Sequence, residues 1–221
     1  MDAPVSRRRY PRTERRSEIL RVATRVFHAR GYEAASLQDI AEELGIAKAS
    51  LYYYFASKQA LLHAVLTEII GIGMVSVRSI QSLGGDPLTR LWRLLDGHIH
   101  HLCRYPTESA LFLHERKRIP LDRRRDILAD DYAYQAVFIE TILEGQSRRQ
   151  IRAELDPKMA ALSILGSANY IYTWFQPNGV LKPDAIGVQF AAMTINSLAT
   201  DVALKDWRRP LPHTKGQRKP L

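Results

Sequence analysis

Apolar residues recur at three- and four-residue spacing along almost the whole chain, and no segment alternates convincingly with period two. Sheets are therefore excluded as the organising element, and the chain must bury itself as helices packed through their apolar faces. Strong breakers punctuate the periodic runs: Gly84-Gly85-Asp86-Pro87, Tyr105-Pro106, Ile119-Pro120, Gly145, Asp156-Pro157 and Pro177-Asn178-Gly179. The expected fold is all-α with about nine helices. These are residues 13–30, a short helix capped by Ser36, residues 47–55, 57–83, 87–105, 108–117, 122–144, 157–174 and 183–204.

With 221 residues, 46% of them hydrophobic, the chain buries roughly 70% of its unfolded surface and needs no covalent staple. Its single cysteine, Cys103, forms no internal disulfide and fits a reducing compartment. No uninterrupted apolar run reaches the roughly 18–20 residues of a spanning helix, and the arginine-rich start lacks an apolar signal core. These features predict a cytoplasmic protein without a membrane partner. The formal net charge is +9, and the excess sits at the ends: nine arginines against three acids in residues 1–30, six bases against one acid in 205–221. A basic end on a near-neutral body suits a polyanion, commonly nucleic acid; solvated arms that only aid solubility are the alternative.

Two short helices joined by a single glycine turn make a helix-turn-helix plan. Leu37, Ile40, Ala41 and Leu44 mark the first of them, Gly45 turns the chain, and Leu51 and Phe55 mark the second. A helix that enters a major groove presents small or polar residues at its N-terminal end and phosphate anchors further along. By position Lys48 is the base-edge donor, beside Ala49, with Gln38 of the preceding helix reaching another base or a phosphate. Ser50, Tyr53 and Tyr54 supply hydroxyls for phosphate oxygens, and Lys58 places a charge at a helix start. Tyr52 is divided between a packed ring and a hydroxyl that reaches DNA. Arg7, Arg8, Arg9 and Arg12 suit either an arm along a minor groove or a solvated tail.

The segment Ser36-Leu-Gln-Asp-Ile-Ala-Glu-Glu-Leu-Gly45-Ile-Ala-Lys-Ala-Ser50-Leu-Tyr-Tyr-Tyr-Phe55-Ala-Ser-Lys58-Gln-Ala-Leu61 closely resembles the DNA-binding head of the TetR family of transcriptional repressors. The specific part of the resemblance covers about residues 13–62. It implies phosphate contacts for Tyr53, Tyr54 and Lys58, a homodimer on a palindromic operator of double-stranded DNA, and a second domain that binds a small-molecule effector. Two positions depart from the family pattern: Ala49 stands where glycine is common and Tyr54 where histidine is common. The expected organisation is a basic arm over 1–12, a head over 13–58, an effector and dimerisation domain over 59–204 entered by a linking helix over 57–83, and a basic mobile tail over 205–221.

Small and apolar residues on the last two long helices, including Ser163, Gly166, Ser167, Ala191, Met193 and Ser197, suit close helix pairing between two copies or inside one subunit. Candidate effector contacts are Trp92, Ile99, Leu102, Phe112, Phe138, Ile142, Tyr170 and Trp174. To these are added Asn169, a polar amide among apolar neighbours, and Arg116, from an arginine-rich stretch (116–118 and 123–125) able to receive phosphates. That stretch, with residues 174–179, resembles a TetR subgroup responding to acyl-coenzyme A thioesters; a solvated charge run is the alternative. Asp96, His98, His100, His101, Cys103 and His114 raise a metal site, but their spacing completes no tetrahedral set, so neither metal nor cofactor is expected. No Gly-rich phosphate loop, Ser/His/Asp signature or HExxH motif supports an enzyme. A sequence-blind nucleic-acid-associated protein remains the competing reading.

Overall fold

The protein is described by a computed structural model covering residues 12–119 and 125–210. Eleven helical segments occur among these residues, with one isolated β-bridge and no strands. They are α1 (Arg12–Arg30), α2 (Leu37–Glu43), α3 (Lys48–Tyr54), α4 (Lys58–Ser82), α5 (Pro87–Arg104), α6 (Pro106–Glu115), α7 (Arg125–Ser147), α8 (Pro157–Asn169), α9 (Ile171–Trp174), α10 (Pro183–Leu198) and α11 (Asp201–Asp206).

The first three helices and the start of α4 make the head. Ser36 caps α2 through a complete capping box: its Oγ accepts from Asp39 N at 3.1 Å, and Asp39 Oδ2 accepts from Ser36 N at 2.7 Å. Hydrogen bonds from Ser36, with the Arg30 guanidinium 2.6 Å away, hold the Asp39 carboxyl below its ordinary pKa. Gly45 turns the chain into α3 at φ 63, a conformation that costs a residue with a Cβ. Ile19, Leu20, Ala23 and Phe27 of α1 pack with Ile40, Leu51 and Phe55 into a buried centre.

Helix α4 joins head and body physically. Leu61, Leu62, Val65 and Leu66 are buried near the head, and Met74, Val77 and Ile80 continue the same core in the body. By length and composition α4 does reach what a membrane span needs, against the expectation drawn from uninterrupted apolar runs. Half of its most apolar window is buried inside the protein, as in a core helix. The body closes around α5, which packs against α4, α7, α8 and, most extensively, α10.

Two long expected helices are interrupted. The run 157–174 breaks at Tyr170 into α8 and α9, and the run 183–204 breaks after Leu198. The second break has a non-local cause: Ile151 and Ala199 form the β-bridge, with Arg152 N donating to Leu198 O and Thr200 N to Gln150 O, both at 2.9 Å. Thr200 then caps α11. The expected tail also begins later than read. Trp207 packs on Trp92 with ring centroids 5.6 Å apart and donates from Nε1 to Thr89 Oγ1 at 3.2 Å, so residues through this point are anchored to α5. Arg12 opens α1 and is no part of an arm, while Arg7–Arg9, Arg123, Arg124 and 211–221 lie outside the described residues.

Candidate functional site: reading helix and buried cavity

Helix α3 buries Leu51, half-buries Tyr54 and turns the rest of its surface outward. Lys48, Ala49 and Ser50 are exposed, and Tyr52 and Tyr53 expose 49% and 67% of their surface. The Tyr52 ring is therefore half out of the core. Tyr54 is the most enclosed of the three tyrosines, with its ring edge-on to Tyr53 at 5.1 Å. Gln38 is exposed on α2 and donates to Glu42 Oε1 at 2.9 Å. Lys58 is more engaged than the sequence suggested: its ammonium donates to Glu33 O at 3.1 Å and lies 4.4 Å from the Tyr32 ring centroid. Two cations join this edge from α1: Arg12, expected in an arm, lies over the Tyr53 ring at 5.6 Å, and Arg16, not singled out from the sequence, over Phe55 at 5.3 Å. The result is one solvent-facing edge carrying fixed cations and phenolic hydroxyls, which suits phosphate and base-edge contact.

The body holds a pocket of about 200 Å³ lined by α4, α5, α6, α7 and α8 and open to solvent beside the exposed Leu162. Of the expected effector residues, Leu102, Phe112, Arg116 and Asn169 line it. Trp92, Ile99, Phe138 and Ile142 are buried core side chains instead, since their rings and branches fill the packing between helices. Tyr170 and Trp174, 64% and 38% exposed, sit on the outside. Residues not singled out for this role complete the wall: Gly73, His98, His101, Ser109, Asp131, Tyr134, Gln135, Leu162, Leu165 and Gly166 among them. The legible signal was the spacing of His98 and His101, polar residues three apart on an otherwise apolar helix face.

A polar chain crosses the cavity wall. His98 Nε2 donates to Asn169 Oδ1 at 3.1 Å, so Nδ1 carries the lone pair that accepts from Tyr134 Oη–H at 2.8 Å. Burial pushes the Tyr134 phenol up, keeping it protonated and a donor. Burial, with His101 nearby, pushes His98 down to about 3, and burial pushes His101 down to about 4, so both imidazoles are neutral. The Arg116 guanidinium lies 2.5 Å from Asp131 Oδ2 and is neutralised there, while burial raises the Asp131 carboxyl against that pull.

The histidines weighed for a metal site have other partners. His98 is spent on Tyr134 and Asn169, His100 contacts Asp184 Oδ1 at 2.6 Å, and His114 contacts Tyr172 Oη at 2.7 Å. Among the described residues no group of three His, Cys, Asp or Glu comes together to hold an ion. The Cys103 thiol is buried, and burial pushes it up to about 11, an unreactive state.

Residues 19–65 match the family described as bacterial regulatory proteins, tetR family, and residues 84–198 match the tetracyclin repressor-like C-terminal domain. The chain belongs to the TetR family. Among relatives, the HTH-type transcriptional repressor KstR2 of Mycobacterium tuberculosis is 24% identical over 188 residues, covering 85% of this chain and 94% of that protein. Its structure superposes with a TM-score of 0.78 over 85% of this chain and 96% of that one. The structure of AibR in complex with isovaleryl coenzyme A and operator DNA is 30% identical, with a TM-score of 0.74, covering 83% of this chain and 97% of that one. Members of the TetR family are DNA-binding transcriptional regulators, and a ligand-binding domain like the body here is typical of them.

Proposed function

We propose that this TetR-family protein is a cytoplasmic repressor that binds a palindromic operator as a homodimer and is released by a small molecule held in the cavity. The observation that carries the reading is the pairing, through the single helix α4, of an exposed edge bearing Lys48, Ser50, Tyr52 and Tyr53 with a largely apolar pocket in the body. Two copies are needed because one short helix reads only half a site, and palindromes mirror protein symmetry. The outward faces of α8 and α10, where Met159, Leu162 and Met193 are exposed, suit that pairing.

Release requires the effector to favour a conformer whose two reading helices are wrongly spaced. Helix α4 runs from the head past Ile69, Ile70 and Gly73 of the cavity wall, and α6 packs on both α1 and α4, so both can carry the shift. The likeness to AibR and the apolar wall favour an acyl thioester whose acyl end enters the cavity; another apolar or aromatic metabolite is the broader class. Titrating the protein–operator complex with isovaleryl-CoA and longer acyl-CoA thioesters tests this. Fluorescence anisotropy falls if the thioester releases DNA, and anisotropy together with the melting temperature staying constant across the series overturns the thioester assignment.

A further inference from the structure

One polar side chain of the pocket wall keeps hydrogen-bonding capacity to spare. His101 stands three residues after His98 on the same face of α5 and lines the pocket together with Gly73 of α4. Its Nε2 lies 4.0 Å from where a Cβ on Gly73 would stand, so the missing side chain leaves that nitrogen uncovered towards α4. Among the described residues no hydrogen-bond partner meets either ring nitrogen, and neither is shut away from water as the Ser109 hydroxyl is. The ring itself is supported, packing on Tyr105 with centroids 5.2 Å apart.

Neighbouring polar groups are already engaged. His98 has both ring nitrogens committed to Tyr134 and Asn169, and Arg116 is held by Asp131. Burial keeps the His101 imidazole neutral. A neutral imidazole carries one N–H and one lone pair, so it serves a ligand oxygen without a change of charge. Much of the remaining wall, including Ile69, Ile70, Leu102 and Phe112, is apolar. A ligand here therefore meets hydrocarbon over much of its surface and an unspent polar contact at His101.

We propose that His101 is the residue that recognises the polar group of the effector, donating from Nε2 to an oxygen such as an acyl carbonyl while the apolar wall takes the attached chain. The proposal deepens the effector reading of the pocket and rests on it, but it is tested without DNA. Diethylpyrocarbonate modifies unprotonated, accessible imidazole nitrogens, and tandem mass spectrometry of the treated full chain locates them. His101 is modified, whereas His98, with no nitrogen to offer, is not. Two uncharged probes then differ in a single oxygen: S-octanoyl-N-acetylcysteamine and the thioether S-octyl-N-acetylcysteamine. In calorimetry the thioester binds about tenfold tighter than the thioether, and it protects His101 from the reagent. His101→Leu binds both probes alike. His101→Gln, which keeps a donor and an acceptor, retains most of the difference.

A His101 that stays unmodified in the free protein overturns the proposal. So does a thioester that fails to protect it, equal wild-type affinity for the two probes, or a His101→Leu protein that keeps the wild-type preference. A thioester that binds through His101 but leaves operator DNA in place retains the proposal and removes release by that ligand from the repressor reading. Release of DNA by the thioester with His101 unprotected does the reverse.

Discussion

Arg118, just past the end of α6, reaches the head: its Nη1 lies 2.8 Å from Glu33 Oε1 on the turn between α1 and α2, while its Nε lies 2.7 Å from Glu115 Oε2. Arg118 stands two residues beyond Arg116 of the cavity wall, so one short stretch of backbone touches the cavity and the DNA-binding head. Exposed pairs of this kind contribute about 0.2–1 kcal/mol. Arg118→Ala should therefore change the melting temperature little, yet shrink the ratio of operator affinities measured with and without effector. An unchanged ratio in anisotropy titrations would remove this contact from the coupling.

The neutral imidazoles make stability depend on pH with a definite sign. His98 and His101 sit at about 3 and about 4 in the folded protein, below the ordinary value of 6.5. Between those values the unfolded chain binds more protons, so stability rises with pH there. The contribution is complete above pH 6.5 and is lost as pH falls towards 4, at up to about 1.4 kcal/mol per pH unit for each group. Urea midpoints should fall across this window in wild type and fall less steeply in His98→Gln. A flat wild-type profile contradicts the assignment.

Close packing of α5 on α10 depends on Gly187. A Cβ at that position would overlap Asp96 Oδ1 and approach His100 Cε1 to 3.5 Å, and Asp96 is a buried side chain with little room to move. Gly187→Ala should cost about 1–3 kcal/mol through overpacking, visible in the denaturation midpoint. A neutral or stabilising result would mean that the two helices are less tightly apposed.

The outer faces of α8 and α10 give a prediction about assembly. Met159→Glu with Met193→Glu places charges on residues 65% and 68% exposed in one chain, so monomer stability should hardly change. Sedimentation should show wild type as a dimer and the double variant as a monomer with weakened operator binding. A wild-type monomer at micromolar concentration, or a double variant that remains dimeric, contradicts the paired-helix assignment.

The head was largely legible in the sequence because its determinants are local. Ser36 caps within three residues, Gly45 supplies one unusual torsion, and the apolar positions of α2 and α3 repeat at helical spacing. The break at Ala199 was hidden, since its cause is a backbone partner 48 positions away, between Ile151 and Ala199. Cavity lining was half hidden for a similar reason. Trp92 and Phe138 look like ligand contacts by type, but whether an aromatic ring meets a neighbouring helix or a cavity depends on where α5 and α7 cross. Trp207 shows the same limit: its indole docks on Thr89, 118 residues earlier in the chain, in a stretch whose composition reads as a loose tail.

The most direct test of the account is selection of DNA from a random pool by the wild-type protein, followed by anisotropy of Lys48→Ala and Tyr53→Phe on the selected duplex and on scrambled DNA. The account predicts a palindrome. Lys48→Ala should lose about 1–3 kcal/mol on it and relax preference at one base pair per half-site, whereas Tyr53→Phe should weaken both duplexes alike. Recovery of no palindrome, or equal loss by Lys48→Ala on selected and scrambled DNA, would contradict it.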